Sequence, residues 1–327
     1  MVSRINRAIN MAKSGVECAI DGHARPEART ALAVLFDKRL GHRTCRRIEA
    51  RRTLQSIAAS HKAARSTEVA EAPTGIGGEA YILGSGPSIT DLDAKAWERI
   101  ALGSSYGFNR WFRHEFVPNY YFAQAPHGAR SVDEQWAREF RTRSQAYSGC
   151  HFLLRGDILN QGRFAKSSFG QAVLETASQV NVCSELYLMG FCEAEPANLV
   201  STLASRELLN PDQGVSLLPK MGATLPLILA HCVRQRHDTI VLCGIDMNEE
   251  THFFDAGGLS TGAGATAADG GNEPIRPHPH MDRTVRNWTV KDYVLALRTF
   301  ARNMYGAEVY VSSSKSALAP DLPVWSF

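Results

Sequence analysis

Two glycines, a proline and two serines follow a short apolar segment, and this combination of residues is suited to binding phosphate. The run Gly84-Ser85-Gly86-Pro87-Ser88 comes after residues 80–83, which are typical of a buried strand. The glycines permit a tight turn, the proline suits the first turn of a helix, and either serine can cap the free N–H groups there. Because such N–H groups attract anions, the pattern predicts either a phosphate site or a plain strand-to-helix turn without a ligand.

A second glycine turn, Gly244-Ile245-Asp246, follows the apolar residues 239–243. A predicted helix near Gly222-Ala223-Thr224 precedes that strand, so we expect Asp246 at the carboxyl edge of a parallel sheet, where such sheets bind ligands. Asp246 and Asn248 offer the oxygen ligands that a divalent cation prefers. The alternative is that Asp246 hydrogen-bonds loop amides or caps a helix.

Two histidines at alternate positions, His278 and His280, are flanked by prolines, which favour an extended chain. In an extended segment both rings point the same way. Because the ordinary pKa of histidine lies near neutral pH, either ring suits the role of a general base. With Asp282 the pair also fits a metal site, and the remaining alternative is a surface loop with incidental histidines.

A polar and aromatic cluster that contains Asn248 and His252 precedes residues 255–276, which are rich in Gly, Ala, Ser and Thr. This composition predicts a mobile loop that can close over a ligand as a lid. The cluster either contacts the ligand or anchors the loop through its aromatic rings.

Near the C-terminus, the run Ser312-Ser313-Ser314-Lys315 follows residues 308–311, which have the pattern of a strand. Hydroxyl groups and amides at the carboxyl end of a strand suit a nucleotide ribose or phosphate, and Lys315 would add positive charge. A capped helix start explains the serines equally well.

Alternating strands and helices must position these residues, and that alternation predicts an α/β protein whose parallel sheet has helices on both faces. The predicted strands are residues 81–83, 100–104, 120–123, 151–154, 185–188, 239–243 and 308–311. The predicted helices are residues 93–97, 133–147, 169–180, 223–236 and 290–305.

The basic charge of the chain is confined to its first part. Residues 1–65 carry 14 Lys and Arg against 5 Asp and Glu, a net charge of +9, so the remainder carries −6 of the total of +3. We expect a basic helical N-terminal region at 1–70, a linker at 71–78 and one α/β domain at 79–327. The basic region is either a solvated helical face or a surface for anionic lipids, and no aromatic pattern supports nucleic-acid binding.

Length and composition are those of a globular protein. With 327 residues, 44% of them hydrophobic, the chain can bury a large core, and no apolar run is long enough to span a bilayer. The chain start lacks the apolar centre of a signal peptide, and the seven cysteines include no Cys-x-x-Cys pair. These features predict a cytoplasmic protein with reduced thiols, with or without peripheral contact to the inner membrane, and leave open whether it forms homo-oligomers.

Several motifs of the chain resemble those of the bacterial sialyltransferases of glycosyltransferase family 42 and the related Gly-x-Gly-Pro-Ser group. In chain order they are the first glycine run, Gly107-Phe108-Asn109, Tyr121-Phe122-Ala123-Gln124, Gly244-Ile245-Asp246, a downstream histidine and Val309-Tyr310-Val311-Ser312. The resemblance covers residues 79–320 and is sparse outside the motifs. It implies a Rossmann-like fold and an inverting transfer of sialic acid from CMP-sialic acid, without a metal or a further cofactor.

The resemblance and the turns described above define a predicted nucleotide and donor site. Its members are Gly84, Ser85, Gly86, Pro87, Ser88, Asn109, Gln124, Gly222, Ala223, Thr224, Gly244, Asp246, Ser313 and Ser314. By the same resemblance, His280 or His278 is the catalytic base. The sugar carboxylate would pair with Arg276, Arg283 or Arg286.

Two departures from the family pattern affect the expected chemistry. Ser85 stands where the family usually has asparagine, and two family tyrosines that stabilise the departing phosphate fall near Asn248 and His252. Either of these two residues can donate a hydrogen bond to that phosphate instead. The donor sugar is therefore sialic acid or another ulosonic acid such as Kdo, and the acceptor is a surface glycan.

Two alternatives keep the same fold. One is a phosphate-transfer enzyme of the pterin pyrophosphokinase-like group, which would need magnesium near Asp246 and Asp282. The other is a nucleotide-binding scaffold of a glycan assembly complex that has lost catalysis, and the absence of both tyrosines favours it.

Overall fold

The computed structural model describes the α/β domain with several gaps. The described residues are 77–124, 126, 130–155, 164, 167–187, 196–205, 217–220, 223–248, 252–254 and 288–327. The predicted basic region at 1–70, most of the predicted linker at 71–78 and the predicted lid at 255–276 lie outside them.

Within the described residues, eight strands form one sheet in the order β6-β5-β4-β3-β2-β1-β7-β8. Every neighbouring pair of strands is parallel. The strands are β1 (Glu79–Leu83), β2 (Ser104–Phe108), β3 (Tyr120–Ala123), β4 (His151–Arg155), β5 (Gln179–Tyr187), β6 (Leu217–Lys220), β7 (Thr239–Cys243) and β8 (Glu308–Val311). The parallel α/β fold predicted from the sequence is confirmed.

Helices join most successive strands, as parallel connections require. They are α1 (Ala94–Leu102), α2 (Arg130–Arg141), α3 (Ser168–Thr176), α4 (Pro196–Ser205), α5 (Thr224–Arg234) and α6 (Val290–Tyr305). Helix α6 begins at a capping box in which Thr289 and Asp292 accept each other's backbone N–H, and it ends at Gly306 in the left-handed region. Among the described residues, no helix combines the length and the apolar character that crossing a membrane requires.

The sheet is buried on both faces. Alternate residues of β1 face opposite sides, so Ala80 and Ile82 join one apolar cluster while Tyr81 and Leu83 join another. Helices α5 and α6 cover the first cluster, and α1, α2 and α3 contribute to the second. Burial on both faces explains why the central strands are almost wholly apolar.

Two predicted boundaries were wrong on the first half of the sheet. Residues 100–104 were predicted as a strand, but α1 continues to Leu102 because Ala96 and Ile100 lie one turn apart on its buried face. The helix predicted at 133–147 ends at Arg141, where the hydroxyls of Thr142 and Ser144 donate to backbone carbonyls and compete with the helix.

Three further elements differ from the sequence prediction. The helix predicted at 169–180 ends at Thr176, and residues 179 and 180 already belong to β5, which the sequence placed only at 185–188. Helix α4 and strand β6 were not predicted. Strand β6 has four residues and contains Pro219, which weakens a strand pattern.

The chain reverses its direction of travel across the sheet between β1 and β7. From β1 it runs outward to β6 and then returns to β7 on the other side of β1. The loops that follow these two strands contact each other directly: Gly84 N donates to Cys243 O and Gly86 N to Gly244 O, each at 2.8 Å. Such a reversal opens a crevice at the carboxyl ends of the strands, and this is where open α/β sheets bind ligands.

The contact between the two loops requires glycine. A Cβ on Gly244, whose φ is +62°, would lie 2.6 Å from the carbonyl oxygen of Gly84. A Cβ on Gly84 would lie 2.5 Å from the carbonyl oxygen of Gly244. The two glycines therefore let the loops approach each other, and this packing accounts for them without a ligand.

We predict that Gly244→Ala lowers the free energy of unfolding by more than about 2 kcal/mol, because it adds overpacking to backbone strain. Gly306→Ala is the matched control, since Gly306 has a similar φ of +69° but no atom within 4 Å of the added Cβ. The control should cost only about 1–2 kcal/mol of strain. Urea unfolding of both variants measures the difference, and equal costs would contradict the argument.

Candidate functional site

A cavity of ≈ 290 Å³ lies in the crevice between β1 and β7. Residues 84–86 line it from the β1 loop, residues 244–247 from the β7 loop and residues 223–225 from the start of α5. Phe108, Asn109, His252 and Val290 complete the lining. Loops from three neighbouring strands and the first residues of two helices therefore meet at one point.

The β1 turn does not offer the free amides that the sequence predicts. The N–H groups of Gly84 and Gly86 donate to the β7 loop, and Ser88 N donates to Asp246 Oδ2 at 2.8 Å. The Ser88 hydroxyl also donates to the Asp246 carboxylate. Gly84, Ser85 and Gly86 line the cavity, but the amides of Gly84, Gly86 and Ser88 are already engaged within the protein.

Asp246 caps the 3-10 helix Pro87–Asp91, at the position where the sequence predicted a bound phosphate. Its carboxylate is held by Ser88, while its backbone carbonyl accepts from Ala317 N at 2.8 Å. Asn248, the other predicted oxygen ligand, donates its side-chain amide to the Lys315 carbonyl. The alternative in which Asp246 hydrogen-bonds loop amides is therefore the one observed. The described part of the chain has no group of three His, Cys, Asp or Glu side chains placed to hold a metal.

Helix α5 begins at the cavity without a side-chain cap. Its N-cap residue is Ala223, which cannot accept a hydrogen bond through its side chain, whereas α1, α3 and α6 are capped by Asp93, Ser167 and Thr289. The N–H groups of Thr224 and Leu225 have no acceptor within the helix, and both residues line the cavity. Their N–H groups and the helix dipole favour a negatively charged ligand group.

Two residues in the sequence could have indicated this helix start. Ala223 cannot cap the helix through its side chain, and Pro226, in the first turn, has no N–H. Sequence reasoning placed Ala223 and Thr224 in the site but missed the uncapped helix. Gln124, predicted near the donor, follows β3 at the same edge, and the Thr224 hydroxyl lies 3.5 Å from its side-chain oxygen.

Two residues of the lining adopt the left-handed backbone region although neither is glycine. They are Asn109, with φ of 55°, and Met247, with φ of 56°. The Tyr121 hydroxyl donates to the Asn109 carbonyl and helps to hold that conformation. Complete burial raises the pKa of Tyr121 well above its usual value, so the phenol keeps the proton that it donates. Such strained backbone conformations persist only where the surrounding structure enforces them, and they are common at binding sites.

His252 reaches the cavity from the segment that precedes the predicted lid. Its Nδ1 lies 2.9 Å from the Ser85 hydroxyl, and the next residue, Phe253, donates its N–H to the Ser85 carbonyl at 2.9 Å. The ring of His252 also stacks on Phe254, with 4.8 Å between the ring centroids. Side-chain and main-chain contacts thus attach this segment to the β1 loop.

An aromatic and cationic surface holds the rings of Phe253 and Phe254. Phe253 packs against Trp111 and His114, and burial lowers the pKa of His114, which favours its neutral form. Phe254 lies beneath the guanidinium of Arg113, whose carbon is 4.7 Å from the ring centroid. Within this cluster, His252 lines the cavity, while Phe253 and Phe254 pack against the segment that follows β2.

Glu139 fixes the Arg113 guanidinium through two hydrogen bonds of 2.6 and 2.8 Å. Burial alone would raise the pKa of Glu139, but the hydrogen bonds from Arg113 and Gln135 outweigh it and hold that pKa below its usual value. Glu139 therefore stays ionised, and Arg113 has a fixed position over Phe254.

Several predicted site residues lie outside the cavity lining. Pro87 and Ser88 belong to the 3-10 helix, Asn248 contacts Lys315, and Ser313 Oγ accepts from Lys315 N at 3.1 Å. Ser314 is also absent from the lining. The side chain of Lys315 pairs with Asp91 at 2.7 Å, and this hydrogen bond raises the lysine pKa.

The predicted catalytic base and the predicted partners of the sugar carboxylate lie outside the described residues. The predicted site residues outside the described part of the chain are Gly222, Arg276, His278, His280, Arg283 and Arg286. Their roles stay predictions.

Comparison with known proteins finds structural neighbours but no family. No protein-family model and no curated protein matches the chain. The fold is similar to the monofunctional alpha-2,3-sialyltransferase Cst-I from Campylobacter jejuni, with 14% identity, a TM-score of 0.37, and coverage of 78% of this chain and 84% of that one. It is also similar to the C. jejuni sialyltransferase CstII in complex with the substrate analogue cytidine-5'-monophosphate, with 10% identity, a TM-score of 0.37, and coverage of 76% and 84%. These values do not assign the chain to that family, so its activity is a matter for proposal.

We predict that Asp246→Ala destabilises the fold by about 1–3 kcal/mol, because it leaves the buried Ser88 N–H and hydroxyl without their acceptor. Asp246→Asn keeps one side-chain oxygen as an acceptor and should cost less. A double-mutant cycle with Ser88→Ala, followed by urea unfolding, isolates the coupling. Strictly additive effects would show that the carboxylate is not coupled to the Ser88 hydroxyl, and a stable Asp246→Ala variant would contradict the prediction as a whole.

Proposed function

We propose that this protein is an inverting glycosyltransferase that transfers an acidic sugar from a CMP-activated donor to a glycan acceptor. The observation that carries the proposal is the cavity at the point where the sheet reverses, where Asn109, His252 and the uncapped start of α5 converge. The motif resemblance described above supports the choice of a CMP-linked acidic sugar.

A phosphodiester group suits the start of α5. Thr224 and Leu225, in the first turn of that helix, line the cavity, and their N–H groups have no acceptor within the helix. The only carboxylate in the described lining is that of Asp246, which accepts hydrogen bonds from the N–H and the hydroxyl of Ser88. We place the negative group of the ligand at the start of α5, because the charge of Asp246 would repel it from the β1 turn.

The remaining polar groups suit a nucleoside and a leaving phosphate. The Asn109 side chain has both a donor and an acceptor, which a pyrimidine base or a ribose needs. His252 is the ionisable ring in the described lining that can donate to a developing negative charge. Apolar lining by Phe108, Leu225 and Val290 keeps water away from one side of the cavity.

The proposed reaction is a single displacement at the anomeric carbon. A base removes the proton from the acceptor hydroxyl, the resulting oxygen attacks the anomeric carbon, and the bond from that carbon to the phosphate oxygen breaks. CMP leaves with the bonding electron pair, and His252 with the N–H groups of α5 receives the new negative charge. His280 or His278 is proposed as the base, with an inverted anomeric centre as the result.

We predict that CMP binds more tightly than UDP, GDP or ATP and that EDTA does not weaken the binding. Isothermal titration calorimetry and thermal shift both measure this, because a ligand that binds only the native state raises its melting temperature. Binding of ATP alone, and only with magnesium, would favour the phosphate-transfer alternative. Binding of no nucleotide would overturn the proposal and favour the scaffold.

We predict that the double variant His278→Ala with His280→Ala loses about 10²–10⁴-fold of the transfer rate, because a general base contributes that much. Its affinity for CMP should not change, since a base that acts on the acceptor does not bind the nucleotide. Radiolabel transfer from CMP-sialic acid and CMP-Kdo measures the rate. The control is His151→Asn at the amino end of β4, and full activity of the double variant would remove the assignment of the base.

A further inference from the structure

Ser85 occupies an unusual place among the residues that line the cavity. It follows β1 between two glycines, and its hydroxyl lies 2.9 Å from Nδ1 of a histidine that is 167 residues away in the chain. The same serine accepts a main-chain hydrogen bond from Phe253 at 2.9 Å. Two contacts from one residue thus fix both the backbone next to His252 and one nitrogen of its ring.

A serine hydrogen-bonded to a histidine can serve as a nucleophile, but the surroundings of Ser85 argue against that role. Acyl transfer to serine needs backbone N–H groups directed at a developing oxyanion, commonly including that of the next residue. Here the N–H of Gly86 donates to the Gly244 carbonyl and that of Gly84 to the Cys243 carbonyl. Both flanking amides are engaged, so the turn lacks the donors that such a nucleophile requires.

The contact with Nδ1 instead couples the Ser85 hydroxyl to the tautomer of the His252 ring. When a hydroxyl donates to Nδ1, the neutral ring carries its proton on Nε2, at the opposite side of the imidazole. The Phe254 ring, 4.8 Å from the His252 ring and inclined by 26°, restricts rotation of the imidazole about its long axis. The Arg113 guanidinium, whose carbon is 4.7 Å from the centroid of the Phe254 ring, holds Phe254 in turn.

We propose that Ser85 is a positioning residue that holds His252 as its Nε2–H tautomer, so that the ring presents an N–H donor to a phosphate in the cavity. This inference rests on the proposed function for the identity of the ligand, but the tautomer itself is a property of the free protein. Ser85 acts through His252 and takes no part in bond making.

The tautomer is measured directly by long-range ¹H–¹⁵N NMR spectra of the full chain labelled with ¹⁵N-histidine. The signals of His252 are those that disappear in His252→Asn. The wild-type ring should show Nδ1 as an acceptor and Nε2 as a protonated nitrogen, Ser85→Ala should show both tautomers, and Ser85→Thr should restore the wild-type pattern. Ser148→Ala, an exposed serine beyond the opposite edge of the sheet, is the control and should leave the spectrum unchanged.

A wild-type ring protonated on Nδ1, or an unchanged spectrum in Ser85→Ala, would overturn the inference. Covalent labelling of Ser85 by a fluorophosphonate would overturn it as well, because a positioning serine without an oxyanion site should not react.

Ligand binding provides a second test of the same pair. Ser85→Ala should weaken CMP about tenfold, the loss expected for a disordered hydrogen bond to a charged group, and should leave the affinity for cytidine unchanged. Ser85→Thr should bind CMP as the wild type does. An equal loss for cytidine would show that Ser85 contacts the nucleoside and does not act through His252. If the wild type binds neither ligand, the proposed function fails while the NMR result still decides the tautomer.

Discussion

The hydrogen bonds between the β1 and β7 loops are the constraint on which the rest of the site depends. Gly84 and Gly86 each donate to a carbonyl of the β7 segment at 2.8 Å, and a side chain at Gly84 or Gly244 would prevent that approach. Because the chain reverses at these two strands, the same contact forms the floor of the crevice. The geometry of the cavity is therefore set by loop packing before any ligand binds.

Because of this constraint, we propose a different element for anion binding from the one that the sequence indicates. A glycine turn before a helix predicts phosphate binding, but here Asp246 already caps the 3-10 helix after β1. A carboxylate in that place satisfies the amides and would repel a second anion. The uncapped start of α5, on the other wall of the cavity, has the complementary property. The start of the 3-10 helix is thus held by the β7 loop, whereas the start of α5 has no side-chain cap.

The sequence predicted the class of fold and much of the edge where the site lies, because those depend on local patterns. Strands β3, β7 and β8 and helix α6 have the predicted bounds, and α6 carries a capping box and a C-terminal glycine that are visible in the chain. Strand β6 and helix α4 were missed, since a short strand with Pro219 and a helix rich in Ser, Thr and Asn have weak patterns.

The partners within the site could not be predicted because they join distant parts of the chain. Ser85 and His252 are separated by 167 residues, and Ser88 and Asp246 by 158. For the first pair, the aromatic surface of Trp111 and Arg113, a third distant segment, must also be in place to hold Phe253 and Phe254. The orientation of His252 thus depends on packing at two other strand ends. The contacts that surround His252 therefore exist only once the sheet has formed.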